Sequence, residues 1–410
     1  MTGKQHFIIV LVLGALSTIS PFAIDMYLPG FPAIADDLNT SMSGVQLSLT
    51  AYLAGIAVGQ LIYGPLLDRY GRKKPLYIGV VIYIAASIGC AFTGAIESLI
   101  AMRFLQAIGG CAGMVAAQTL VRDLFPVNKT AQAYSSLTLV IAVSPLIAPT
   151  VGGYVTVAFG WHAVFVILAG VGLILLGTVY LVLPEGRPAD ASISLRPKAV
   201  LKNFYGVIRE PQFLIYTAAG GIATAAPFAF LAASSDVFIN LYHVDEKIYG
   251  WIFATIAFAI IGSTQLNHFL LKRFKSEQVF RGTLVYQTVI GIVLVTGTTY
   301  HWFSMTGLIA MMFVFFSGQG LTGPNATALS LAPFTRHTGS AAALLGSFRM
   351  AIGGLVTASV SLFHNGTAVP MVTMMVLCSV TGLVILTIGR GTVRYKVRRK
   401  KVEEERSLIA

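Results

Sequence analysis

Charge is what this sequence has least of. Asp, Glu, Lys and Arg together make up 11% of its 410 residues, where a soluble globular chain carries about 25%. Apolar residues fill the space, at 56% of the chain with a mean hydropathy of +0.78, which excludes an ordinary water-soluble fold. Cysteine is equally sparse. Cys90, Cys111 and Cys378 each fall inside an apolar stretch without paired spacing, so they read as small core residues and not as a disulfide or metal framework. A P-loop is also missing. Gly64 and Gly71-Arg72-Lys73 have six residues between the glycines instead of four, and no Lys-Ser/Thr follows, so nothing supports ATP-driven transport. No His–Glu or Ser–Lys pair stands at catalytic spacing inside the apolar stretches, and no metal-ligand cluster occurs: catalytic residues none, metal none. The net charge of +12 does not indicate nucleic acid either, because the basic residues sit between apolar runs with no basic–aromatic stripe.

Long hydrophobic runs are there in number. A bilayer core needs about 20 apolar residues per helix, and twelve stretches qualify, near 6–28, 44–66, 75–95, 98–121, 134–159, 162–183, 213–238, 249–270, 280–300, 303–328, 338–362 and 368–389. The first exceeds a signal-peptide core and lacks an Ala-x-Ala cleavage site, so it is counted as a span. The longest polar interruption, 184–211, parts six spans from six. With the N-terminus inside, 25 of the 28 Lys and Arg fall on cytoplasmic segments, among them Arg187, Arg196, Arg336 and the basic tail. The exceptions are Lys247 outside and Arg103 and Arg349 within spans. This positive-inside bias sets both termini in the cytoplasm, the tail serving as an anchor to anionic lipid. The expected organisation is an all-α membrane protein of twelve transmembrane helices in two six-helix repeats: a bundle at 1–183, a linker at 184–211, a bundle at 212–390 and a tail at 391–410.

The halves echo each other. Pro21–Ala23 in span 1 and Pro227–Ala229 in span 7 both read PFA, and GGYVT (Gly152–Thr156) in span 5 answers GGLVT (Gly353–Thr357) in span 11. Parallel repeats with a midplane site between them are a common plan for secondary transporters. Setting PFA on PFA places Asp25 opposite Leu231, so the carboxylate belongs to the first half alone.

The loop after span 2 reads GQLIYGPLLDRYGRKKP. A merely basic inside loop has no use for Asp68. Gly64, Asp68, Arg69, Gly71, Arg72 and Lys73 instead match the G-x-x-x-D-R-x-G-R-[RK] signature of the major facilitator superfamily. Span 4 adds RFLQAIGGCAG, with Arg103 and Gln106 in a family pattern. Span 5 adds SPLIAPTVGGY, similar to the antiporter motif that bends this helix, with Pro145, Pro149, Gly152 and Gly153 in place and the small residues Ser135, Ser144 and Ala148 where glycine is usual. IDMYLPGFP, LVRD, GPNATALSLAPF and GSFRMAIGG extend the resemblance over nearly the whole chain to the bicyclomycin-resistance (Bcr/CflA) branch of drug:proton antiporters.

That resemblance implies the major facilitator fold and particular roles. Asp68 would face the N-terminus of span 11 near Gly339 and Ser340, where the helix dipole favours a carboxylate. Arg72 would pair with Asp123, completing a cytoplasmic gate of Gly64, Asp68, Arg69, Gly71, Arg72 and Asp123. Among embedded charges, Asp25 is the proton-coupling candidate, with Arg103 acting on it: burial favours the neutral acid and a nearby guanidinium the ion. The competing reading puts Asp25 at the wet outer interface, since Pro29-Gly30 follow within about a turn. Phe22, Tyr27, Tyr52, Gln60, Gln118, Phe228 and Arg349 are candidate cavity residues. The expected function is proton-coupled efflux of small drug-like molecules by a bilayer-embedded bacterial inner-membrane protein working as a monomer, with no cofactor and no enzyme activity. An exporter of a metabolite such as an amino acid or sugar, or a non-transporting sensor of the same fold, are the alternatives.

Overall fold

The computed structural model describes residues 3–125, 127–186, 188–190, 195, 197–334 and 338–409. Arg187, Arg196 and Arg336 of the charge pattern lie outside them. Among the described residues there are twelve helical segments long and apolar enough to cross a membrane: Phe7–Asp37, Met42–Tyr70, Lys73–Ala91, Ile96–Leu124, Val140–Phe159, Trp161–Val182, Pro211–Leu241, Glu246–Leu270, Ser276–Thr299, Met305–Leu331, Gly339–Leu362 and Val369–Gly389. They are referred to below as spans 1 to 12. Helix is the form an apolar chain takes in hydrocarbon, since it satisfies every backbone N–H and C=O within the segment. The connection between the halves contributes a further helix, Pro197–Ile208. The last helix runs unbroken from Val369 to Ile409.

Span 1 departs from the sequence expectation. Its apolar run was expected to end near residue 28, but the chain continues to Asp37 in three pieces. A helix over Gly3–Asp25 is followed by a 3-10 turn at Leu28–Gly30 and a helix over Phe31–Asp37. Pro29 lacks an N–H and interrupts the α-helix without ending the span. Met26 N–H donates to the Phe22 carbonyl at 3.0 Å and Gly30 N–H to the Tyr27 carbonyl at 3.1 Å, so the break leaves these donors satisfied. Leu28, Phe31 and Ile34 beyond it are fully buried. Asp25 therefore lies twelve residues before the end of its span, and its side chain is buried and not wet.

Spans 7 and 10 are broken as well, between the helices Pro211–Ala223 and Ala226–Ser235 and at Gly318 between Met305–Ser317 and Gln319–Leu331. Span 4 is one continuous helix. With Pro21 set on Pro227, the span 7 break at 224–225 aligns with 18–19 of span 1, inside an intact helix. The repeats thus share an outline but not their points of bending.

The halves meet along spans 2 and 11 and along spans 5 and 8. Ser43 Oγ donates to the Ser361 carbonyl at 2.9 Å, and Ser361 Oγ returns a bond to the Ser43 carbonyl at 2.8 Å. Thr50 and Thr357 join their hydroxyls at 2.7 Å, and Ser235 Oγ donates to the Leu28 carbonyl at 2.7 Å. All lie toward the face away from the basic loops. A Cβ on Gly250 would come 2.6 Å from Thr150 Cα, and one on Gly153 would collide with the Glu246 carbonyl. Small residues let these backbones touch. Toward the basic face, Gly64 of span 2 and Gly339 of span 11 have no heavy atom of the described residues within 4 Å of a Cβ position. Among the described residues, the backbone-to-backbone contacts and hydroxyl bonds between the halves lie on the face away from the basic loops.

Gly250→Val places a branched side chain into that seam. A steric cost of about 1–3 kcal/mol would shift the closed–open equilibrium roughly 5- to 150-fold. Electron-paramagnetic distance measurements between labels at Asp36 and Thr367, both exposed on the closed face, should show a longer-distance population in the variant. An unchanged distance distribution would exclude the seam as the closing contact.

Candidate functional site

Span 4 delivers Arg103 into the N-terminal half with no exposure at all. Three rings surround its guanidinium: Cζ lies 4.0 Å from the ring centre of Tyr52, 4.6 Å from Tyr27 and 5.7 Å from Phe165. Nη1 donates to Gln106 Oε1 at 2.6 Å, one turn along the same helix, and Gln106 Nε2 donates to Ser87 Oγ at 2.7 Å. Nε and Nη2 have no partner. Desolvated cation–π contacts of this kind are worth about 2 kcal/mol or more. Tyr27 and Tyr52 accordingly wall in Arg103 and do not line open space, which corrects their assignment to the cavity.

Asp25 closes the first helix of span 1 and is 5% exposed. It makes no ion pair with Arg103, whose guanidinium is taken up by the aromatic rings and Gln106. It looks instead toward the other half. Tyr249 of span 8 lies within its electrostatic reach, with its hydroxyl 2.8 Å from Ser234 Oγ. Three residues beyond Asp25, Leu28 accepts the hydrogen bond from Ser235 that crosses the seam. The break in span 1 thus presents a carboxylate where the halves touch, and Gly152 of span 5 seats against the same break at the Met26 carbonyl. Pro145 and Pro149 lie in the continuous helix Val127–Phe159, and Gly153 sits on the cross-half contact with Glu246.

The loop between spans 2 and 3 holds the second cluster. Arg72 is 1% exposed and grips two acids, Asp123 Oδ2 from Nε at 2.6 Å and Asp68 Oδ1 from Nη1 at 2.7 Å. Burial works against its charge. The hydrogen bonds and charges of Asp123 and Asp68 more than offset that and hold the guanidinium above its ordinary pKa. A raised pKa contributes stability wherever pH is below the unfolded value, so for arginine the contribution is present at every physiological pH. Asp68 keeps a half-exposed side chain and turns to Arg72; among the described residues no hydrogen bond joins it to span 11 near Gly339 and Ser340. Arg69 stacks on Tyr70 at 5.9 Å, and Gly71 takes φ +82°, a backbone that favours glycine.

Sequence reasoning missed what covers this cluster. Glu185 accepts from the Lys73 N–H at 3.4 Å, Asp190 N–H donates to the Asp68 carbonyl at 3.3 Å, and Gly186, at φ +76°, lies over Arg72 and Asp123. The start of the linker therefore straps the loop. The glycine-bearing PEGR run was the available signal. Also missed was His364, whose Nε2 lies 2.6 Å from Asp236 Oδ2 on the closed face.

The third cluster runs along span 11. Arg349 is half-buried, and its Nη2 donates to Thr327 Oγ1 at 2.8 Å and to the Gly323 carbonyl at 3.3 Å, both on span 10. One turn toward the closed face, the Phe228 ring packs on Gly353, 2.6 Å from where a Cβ would stand. One turn the other way, the Gln60 amide reaches Gly346 across the seam. Gln60, Phe228 and Arg349 are thus brought together from three spans. Phe22 packs against the core and Gln118 is exposed.

A double-mutant cycle distinguishes the two acids on Arg72. The Asp123 side chain is 11% exposed and that of Asp68 is 44%. Coupling with Asp123 should be about 1–3 kcal/mol and coupling with Asp68 below about 1 kcal/mol, read from thermal unfolding. Equal couplings would refute the burial argument.

Known proteins give this geometry its relatives. The family model described as Major Facilitator Superfamily matches residues 13–358. The bicyclomycin resistance protein homolog of Haemophilus influenzae is 33% identical over 385 residues, 92% of this chain and 94% of its own. The chloramphenicol resistance protein of Pseudomonas aeruginosa is 29% identical over 388 residues, 92% of this chain and 88% of its own. Among solved structures, a bacterial homolog of the human lysosomal transporter Spinster, inward-facing and unoccupied, matches with a TM-score of 0.70 at 14% identity, over 95% of this chain and 96% of that one. At that identity the likeness concerns the fold alone.

Proposed function

The chain belongs to the major facilitator superfamily as a multi-pass membrane transporter, and from that premise we propose that it exports small drug-like molecules in exchange for protons by alternating access. The observation that carries the reading is Asp25: a carboxylate at depth, on a helix break, buried where the two halves meet. An acid so placed is uncharged or charged at very different cost, which makes its protonation a bias on whether the seam stays shut. The relatives named for bicyclomycin and chloramphenicol resistance support drugs as the exported class.

Under this reading the basic face is cytoplasmic, both termini lie there, the membrane is the bacterial inner membrane, and the structure is the inward-open state. Drug enters between the halves from the cytoplasm while Asp25 is still protonated. Proton release to the cytoplasm and closure of the basic face follow, with Asp68 moving from Arg72 toward the start of span 11. Opening of the seam at Ser43–Ser361 and Thr150–Gly250 then releases drug outside, where Asp25 takes up its next proton. The driving force is the gradient: one charge through about 100 mV is worth about 2.3 kcal/mol, to which the pH difference adds. One monomer holds every element of the cycle, and the chemistry calls for no cofactor.

Asp25→Asn tests the coupling directly. In proteoliposomes carrying a pH gradient, drug-driven proton flux should fall to the level of protein-free vesicles, while the melting transition stays near that of the wild type. Retained coupling in the folded variant would remove Asp25 from the mechanism. Orientation has a separate check: a fluorescent protein fused after Ala410 should light up, and alkaline phosphatase at the same point should stay inactive. Active phosphatase there would invert the topology.

A further inference from the structure

Only three charged residues among those described stand more than six positions from both ends of their span: Asp25, Arg103 and Arg349. Two are positive. Arg103 is sealed among Tyr27, Tyr52 and Phe165 with no exposure, and Asp25 sits at the closed seam. Arg349 differs from both. It is half-buried, near the middle of span 11, on the stretch between the closed seam and the open basic face. No carboxylate lies within ion-pair distance among the described residues, and only Nη2 has hydrogen-bond partners, both neutral. Nε is buried and unpartnered, and among the described residues Nη1 has no hydrogen-bond partner.

A guanidinium at that depth is expensive to keep, and a buried charge without a counter-charge more so. Arg72 has two carboxylates against its charge and Arg103 three aromatic rings; Arg349 has neither among the described residues, only a hydroxyl and a carbonyl. Two further side chains seat on the same helix, one turn to either side of it. Gly353 admits the Phe228 ring one turn to one side, and Gly346 admits the Gln60 amide one turn to the other. A cation, an aromatic face and an amide thus lie on one line, contributed by spans 11, 7 and 2. A guanidinium fork pairs with planar oxyanions in two-point fashion, and an aromatic ring takes a flat apolar body.

We infer that Arg349 anchors the anionic group of the transported molecule, with Phe228 holding its apolar body and Gln60 a polar substituent, so that the transporter selects amphiphilic organic anions over cations. This rests on the export reading and names its substrate class. The net positive charge of the embedded residues acts in the same direction, disfavouring a lipophilic cation in the cavity.

The test uses two probes of matched shape and opposite charge, naphthalene-2-sulfonate and naphthalen-2-yl-trimethylammonium, titrated calorimetrically into the full chain in neutral-lipid nanodiscs. The sulfonate should bind about tenfold tighter or more, the range a charge-assisted hydrogen-bond pair supplies. Arg349→Gln should abolish the preference, and Arg349→Lys, which keeps the charge without the fork, should retain part of it. A role confined to holding spans 10 and 11 together would weaken both probes alike. Equal affinities in the wild type, or undiminished sulfonate binding in Arg349→Gln, would overturn the inference. If Arg349→Gln does not fold, the wild-type preference and Arg349→Lys decide. Export of neutral chloramphenicol by wild-type cells is measured alongside. Export without an anion preference sinks the inference and leaves drug antiport standing, whereas an anion preference without any export does the reverse.

Discussion

Close approach of backbone to backbone at the seam is the contact on which the rest of this structure depends. At Gly250 against Thr150, and at Gly153 against the Glu246 carbonyl, no side chain separates the halves. Lipid supplies no hydrophobic force to press helices together, so association rests on packing at short range and on hydrogen bonds. The serine pair Ser43–Ser361 and the threonine pair Thr50–Thr357 supply those bonds, each one reversible without leaving a charge stranded. A seam built this way is two-state by nature: it is either in contact or it is not.

Charge is then placed relative to that seam. Arg72, between spans 2 and 3, pairs with Asp68 and Asp123 at the ends of spans 2 and 4 on the basic face, where the linker residues Glu185 and Gly186 cover it. Because Asp68 keeps a half-exposed side chain while Asp123 is nearly covered, Arg72 is held firmly by span 4 and only lightly by span 2. Asp68 is the member able to change partner without unseating the arginine. Two buried acids on one guanidinium would have fixed the loop in a single arrangement. One buried and one exposed acid leave it a hinge with a permanent half.

How much of this was readable in the sequence depends on the range of the interaction involved. Span number follows from hydropathy, and twelve such helices are found among the described residues; the pairing of Arg72 with Asp123, implied by the family resemblance, is present as well. The depth of Asp25 did not follow, because Pro29-Gly30 reads as the end of a span unless one knows that Phe31–Asp37 resumes as helix behind it. The cage on Arg103 was equally hidden. Its rings come from residues 27, 52 and 165 on three other helices, and no spacing rule relates them. Nor does periodicity show that spans 1 and 7, alike in wording, bend at different residues. Such facts are set by tertiary packing, where a ring or a glycine acts on a partner a hundred residues away.

The separation of the embedded charges carries the argument one step further. If Asp25 and the substrate shared one pocket, exchange would follow from simple competition for it. Here Asp25 belongs to the break in span 1 at the seam, and Arg349 belongs to span 11 toward the open face, with Gln60 of span 2 reaching across to its neighbour Gly346. On the proposed reading, proton and substrate therefore meet different sides of the same interface and influence each other through its opening and closing. Coupling of that kind is a free-energy difference between two global states, and it is reciprocal. A proton that holds the seam shut must bind more weakly when a substrate favours its opening. Arg103 has a place in this scheme that its isolation from Asp25 first seems to deny. Tyr27, which stacks on it, is two residues beyond Asp25 in the same break. The cage fixes one side of that break to span 4, so that any movement of Asp25 with the seam is made against an anchored turn and not against a free one.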